Sequence, residues 1–102
     1  KRGLKIDSVK NTSSFKQDYK IKVLLVDDSA VILKKTGDML KANGYDVITK
    51  KDGSEAILWL EENISLPEVV ITDMEMPKMT GEELVESMRK DERFQEIPVL
   101  VI

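Results

Sequence analysis

Residues 69–81 read VVITDMEMPKMTG. An apolar, β-branched run from Val69 to Thr72 ends on an acid, Asp73, and a second acid, a proline and a glycine follow at Glu75, Pro77 and Gly81. Val, Ile and Thr favour a pleated strand, and a short continuous run of them reads as a strand covered on both faces. A carboxylate at the end of such a strand does not belong to the core. Thr80 and Glu83 supply the T-x-x-E of a capping box, which opens a helix over about Gly81 to Lys90. The stretch is therefore strand, acid-bearing loop, helix.

The same unit recurs on both sides of it. VLLV at Val23–Val26 is a second continuous apolar run, and it also ends on acids, Asp27 and Asp28. Ser29 is placed to cap a helix from about Ala30 to Asn43, and Gly44 sits where a left-handed C-cap belongs. Leu33, Gly37 and Leu40 share one face of that helix. Gly37 costs helix propensity, so close approach to the sheet is the expected reason for it. Tyr45 to Thr49 reads as a strand with Asp52-Gly53 as its turn. A helix follows over about Ser54 to Asn63, with Ala56, Leu60 and Ile64 at i, i+4 and i+8. Pro67 closes that connection. Leu84, Val85 and Met88 form the inner stripe of the next helix, and Ile97 to Ile102 (IPVLVI) is a fourth apolar strand with Pro98 near its start.

Strand–helix repeated three times and then a strand predicts an α/β fold with a doubly wound parallel sheet, right-handed crossovers and helices on its faces. Ligands of such sheets sit at the carboxyl ends of the strands, where strand order reverses. If the first and third strands are neighbours, Asp27, Asp28 and Asp73 meet there. Two carboxylates about 4 Å apart repel by roughly 4 kcal/mol at an effective dielectric near 20. A shared proton or a bound cation relieves this, and a divalent cation is the simpler answer. A lone aspartate at a strand end is more often a turn or helix cap. Three at the ends of two adjacent strands point to a site.

Composition narrows the chemistry. The 102 residues suit one domain, with a formal charge of −3. That balance argues against nucleic acid as a direct partner. With no Cys and no His, there is no thiolate site, no imidazole ligand and no His general base. A metal here is held by oxygen, which points to magnesium, calcium or manganese. No apolar run reaches the length of a membrane span and no signal-peptide pattern is present, so the cytoplasm is expected. Residues 1–20, KRGLKIDSVKNTSSFKQDYK, are polar and without sustained period, and read as a linker or arm ahead of a domain at 21–102.

VLLVDDS followed by VVITDMEMPKMTG resembles the receiver domain of two-component response regulators, and DGSEAI and IPVLVI agree in order and spacing. The resemblance covers about residues 21 to 102. It implies a flavodoxin-like sheet of order 2-1-3-4-5. It implies Asp73 as the phospho-acceptor, with magnesium held by Asp27, Asp28, Asp73 and the backbone carbonyl of Glu75. Asp28 is the more direct ligand of the first pair, and the Glu75 side chain overhangs the acceptor. The implied donor is a phosphohistidine on a sensor histidine kinase or its phosphohistidine domain. The chain would then be a phospho-acceptor signalling module rather than an enzyme, in a chemotaxis-type or hybrid kinase setting.

Thr80 stands where the family often has an acid, and the capping box gives it a role. The family's Ser or Thr after the fourth strand and its Lys at the end of a fifth strand lie past Ile102, so the fifth strand is missing from this chain. The expectation is a piece of a longer chain, with the fourth strand open to dimerisation or domain swapping. An aspartyl phosphatase would place a second Asp two residues after the first, where Glu75 stands. A flavin or nucleotide module would follow its first strand with a Gly-, Ser- or Thr-rich loop rather than DDS. A receiver used mainly for docking remains the softer alternative.

Overall fold

The computed structural model describes residues 19–102; most of the expected arm, residues 1–18, lies outside them. The four apolar runs become β1 (Lys22–Val26), β2 (Asp46–Lys50), β3 (Val69–Thr72) and β4 (Val99–Val101), separated by α1 (Ala30–Ala42), α2 (Gly53–Glu62) and α3 (Gly81–Arg89). All pairings are parallel and the sheet order is β2-β1-β3-β4. From β1 the chain steps outward to β2, then crosses back to add β3 on the other side. Strand order therefore reverses between β1 and β3. The register matches Val26 with Thr72 and with Lys50, so the three strands end level.

Helices cover both faces. Leu24, Val26 and Val70 pack under α2 and α3 with Ala56, Leu60, Leu84, Met88 and Phe94. On the opposite face Leu25 and Val47 pack against Leu33 of α1, with Leu40, Tyr45 and Ile71 around them. This is why VLLV carries no polar position: Val23 to Val26 are each at most 1% exposed. Burying each such side chain contributes about 1.5–3 kcal/mol.

The helix ends follow local chemistry. Ser29 accepts from the Ile32 N–H at 3.2 Å to start α1, and Gly44 takes φ 92° beyond its end. Both halves of the Thr80–Glu83 box are present, at 2.9 and 3.1 Å. Asp52, expected as a turn residue, is a buried N-cap whose carboxylate accepts from the Glu55 N–H at 2.9 Å, so α2 begins at Gly53.

Three packing expectations are corrected. Ile64 is wholly exposed rather than inward, because the chain turns extended at Asn63. The Asn63 amide donates to the Trp59 carbonyl at 2.8 Å and closes the helix at Glu62, before Ile64 can join its inner face. Val85 is only half-buried, leaving Leu84 and Met88 as the inner stripe. Gly37 is buried, but a Cβ there would meet only Thr49 Cγ2, at an ordinary 3.8 Å, so packing does not demand glycine.

The approach to β4 is held by Arg89. Its guanidinium donates to the carbonyls of Phe94, Gln95 and Ile97 at 2.9, 3.1 and 2.9 Å. That clamp fixes a 3-10 turn, Glu92–Phe94, and sets Phe94 into the core at 1% exposure. Ile97 is buried just ahead of β4, while Leu100 and Ile102 are 55% and 60% exposed. Ahead of β1, the Tyr19 hydroxyl donates to the Glu68 carboxylate.

Candidate functional site

The level strand ends bring the acids together. The Asp73 N–H donates to the Val26 carbonyl at 2.9 Å, and the Asp27 N–H donates to the Lys50 carbonyl at 3.1 Å. These bonds extend the sheet ladder by one residue, so both acids stand at its carboxyl rim. Asp27 is buried, and its Oδ1 accepts from the Ser29 N–H at 2.9 Å. Asp28 is exposed and Asp73 half-buried. Each of the three offers a carboxylate oxygen, and these oxygens all lie within 4.8 Å of one another. Glu75 is exposed on the loop after Asp73, and its carboxylate is not part of this group.

The loop after Asp73 is built by close approach. Gly81 N–H donates to the Met74 carbonyl at 2.7 Å. A Cβ on Gly81 would lie 2.5 Å from the Asp73 carbonyl oxygen and 3.1 Å from Met74 Cα. Both are backbone atoms, so only glycine lets the start of α3 sit against the acid-bearing turn. From the other side, the Met74 N–H donates to the Ile102 carbonyl at 2.8 Å, tying the turn to the end of β4. Met76 turns back into the core beneath the loop at 6% exposure.

Thr72 is a contributor that sequence reasoning passed over. It is fully buried, and its hydroxyl donates to the Asp73 carbonyl at 3.0 Å. The carbonyl on which Gly81 crowds is thus also the one Thr72 anchors. The signal was a hydroxyl in the one strand position directly before the acid, where Val or Ile would serve burial better.

Every candidate ligand here is an oxygen, and the chain has no His or Cys to add softer atoms. Such a set suits magnesium or manganese, which accept a few carboxylates and complete their shells with water and phosphate. Among the described residues, no helix is long and apolar enough to cross a membrane.

Residues 23–102 match the family model of the response regulator receiver domain. The chain belongs to that family. The receiver domain is 41% identical over 83 residues to the chemotaxis protein CheY1 of Helicobacter pylori, a match covering 80% of this chain and 66% of that protein. It is 37% identical over 81 residues to hybrid signal transduction histidine kinase D of Dictyostelium discoideum, covering 78% of this chain but 5% of the kinase. Among solved structures it superposes on the chemotaxis response regulator CheY4 of Vibrio cholerae with a TM-score of 0.76 and 36% identity, covering 81% of this chain and 68% of that one. The receiver domain thus spans just under two thirds of CheY1, and it carries the flavodoxin-like sheet order 2-1-3-4 expected from sequence. It is a module of two-component signalling.

Proposed function

We propose that this receiver domain takes a phosphoryl group from a phosphohistidine of a partner kinase onto Asp73. The observation that carries this reading is the convergence of Asp27, Asp28 and Asp73, with carboxylate oxygens within 4.8 Å of one another at the reversal point of the sheet. Membership in the receiver family and similarity to chemotaxis and hybrid kinase proteins support it. The whole protein, on this reading, works in a chemotaxis-type or hybrid kinase pathway.

The step is a displacement at phosphorus. An Asp73 carboxylate oxygen forms the new O–P bond, the P–N bond to the donor imidazole breaks, and that nitrogen takes up a proton. Asp27, Asp28, Asp73 and the Glu75 carbonyl are the residues that would hold magnesium. Bound there, the ion supplies charge neutralisation for the carboxylates and the incoming phosphoryl oxygens. The chain's own contribution is position. Thr72 and Gly81 fix the Asp73 peptide, and Asp27 is locked by the Ser29 N–H and left with its second oxygen for the site. The exposed Glu75 side chain stands next to the acceptor loop, where it tunes the access of hydrolytic water. The domain assists its own phosphorylation and dephosphorylation and turns over no other substrate.

The test is phosphate incorporation with magnesium and a small phosphodonor, read by intact mass. Wild type gains one phosphoryl group and Asp73→Asn gains none. Equal incorporation by the two proteins removes Asp73 as acceptor.

A further inference from the structure

Among the described residues, strand β2 has a partner, β1, along one side only, so the backbone groups along its other side have no strand there to bond. A groove of about 490 Å³ runs between this strand and α1, with Leu33 and Gly37 of the helix and Thr49 of the strand in its wall. None of Asp27, Asp28 and Asp73 is in its lining.

Gly37 is the first clue. Glycine inside a helix costs about 1 kcal/mol relative to alanine. Here a Cβ would make only an ordinary contact, 3.8 Å from Thr49 Cγ2, so no packing within the domain explains that cost. What the missing Cβ leaves is depth in the groove.

Charge is the second. Lys41, Lys50 and Lys51 line the groove, and none of them forms an ion pair among the described residues. Lys34 and Asp38, also in the wall, satisfy each other at 3.0 Å. Glu55 is then the only unpaired acid of the lining, against three lysines, in a chain whose net charge is −3.

Lysines beside a strand edge also discourage unwanted pairing. That role leaves Gly37 unexplained, since alanine would serve it equally. An extended acidic segment accounts for all three features. Its backbone meets the free edge of β2, its carboxylates meet the lysines, and its chain fills the space over Gly37. We infer that the α1–β2 groove docks an extended, acidic segment of a partner protein by strand addition.

The test is fluorescence anisotropy with the full chain and a short labelled peptide alternating threonine and glutamate. Binding is expected at a Kd below about 1 mM. Gly37→Ala should raise the urea midpoint of unfolding yet weaken binding about tenfold. This opposite movement separates lost docking from lost folding. Lys41→Glu and Lys51→Glu should each weaken binding too, and a threonine–lysine peptide should not bind. Equal affinity of wild type and Gly37→Ala overturns the inference. So does failure of the acidic peptide to bind, or binding of inorganic pyrophosphate in its place with no sensitivity to Gly37→Ala, which would mark a small-anion site.

Discussion

Asp73→Asn should make the metal-free domain more stable and, at the same time, deprive it of its response to magnesium. The substitution keeps the side chain's size, so its effect is one of charge. Asp27, Asp28 and Asp73 hold oxygens within 4.8 Å of one another. At the full 4.8 Å, a pair of unit charges repels by about 3.5 kcal/mol at an effective dielectric near 20, and by about 0.9 kcal/mol in bulk water. Asp73 enters two such pairs, one with buried Asp27 and one with exposed Asp28. The exposed pair lies near the aqueous limit and the other between the limits, so removing both should stabilise the domain by about 2 kcal/mol.

Magnesium closes that gap. A ligand at about 100 times its dissociation constant stabilises the native state by about 2.7 kcal/mol. Wild type should gain that amount. Asp73→Asn, with one carboxylate ligand neutralised, should gain less than about 1 kcal/mol at the same concentration. Urea unfolding followed by the fluorescence of Trp59, the single tryptophan, measures both proteins with and without the ion. The gap between the two proteins should shrink by about 2 kcal/mol when the ion is added. If Asp73→Asn matches wild type without magnesium and shifts as far with it, the three carboxylates do not act as one cation site.

Three other substitutions probe the frame of the domain, the first two beside the acids and the third in the turn ahead of β4. Gly81→Ala drives a Cβ to 2.5 Å from the Asp73 carbonyl oxygen and should cost about 1–3 kcal/mol, with weaker magnesium binding; a neutral urea midpoint would show that the turn yields. Thr72→Val keeps shape but deletes the hydroxyl bond to the Asp73 carbonyl. It should cost about 1 kcal/mol and slow phosphate incorporation, whereas Thr72→Ser should restore the rate. At Asp91, the hydrogen bonds from the Arg93 side chain and backbone N–H hold the carboxyl below the usual carboxylate range. A depressed folded-state value means stabilisation that is present above the unfolded carboxylate's range and is lost as pH falls through the folded value. Asp91→Asn should therefore unfold slightly before wild type at neutral pH, and the two urea midpoints should merge on acidification below about pH 4; a gap that persists there would assign the effect to the turn rather than to charge.

Much of the fold was legible in the residue pattern. VLLV and VVIT announced strands because both faces of a central parallel strand are covered, and that favours an unbroken run of apolar and β-branched residues. Thr80 with Glu83, Ser29 and Gly44 marked helix ends because their side chains or backbone freedom act within one turn. Ile64 misled for the complementary reason. Helical spacing continued through it, but the Asn63 amide captured the Trp59 carbonyl, and a local competition of this kind has no periodicity. Phe94 and Arg89 were invisible because one is buried only through the other's hold on three carbonyls of a loop.

Sequence alone determined that acids follow the first and third strands, that softer metal ligands are absent, and that strands alternate with helices. Those are properties of residue type and spacing. That Asp27, Asp28 and Asp73 share one site was decided by strand order and register. A different neighbour for β1, or a slip of one residue against β3, would send the same carboxylates apart. Gly81 and Thr72 gained their roles only from that arrangement, since a close approach and a hydrogen bond exist between places in space, not between letters.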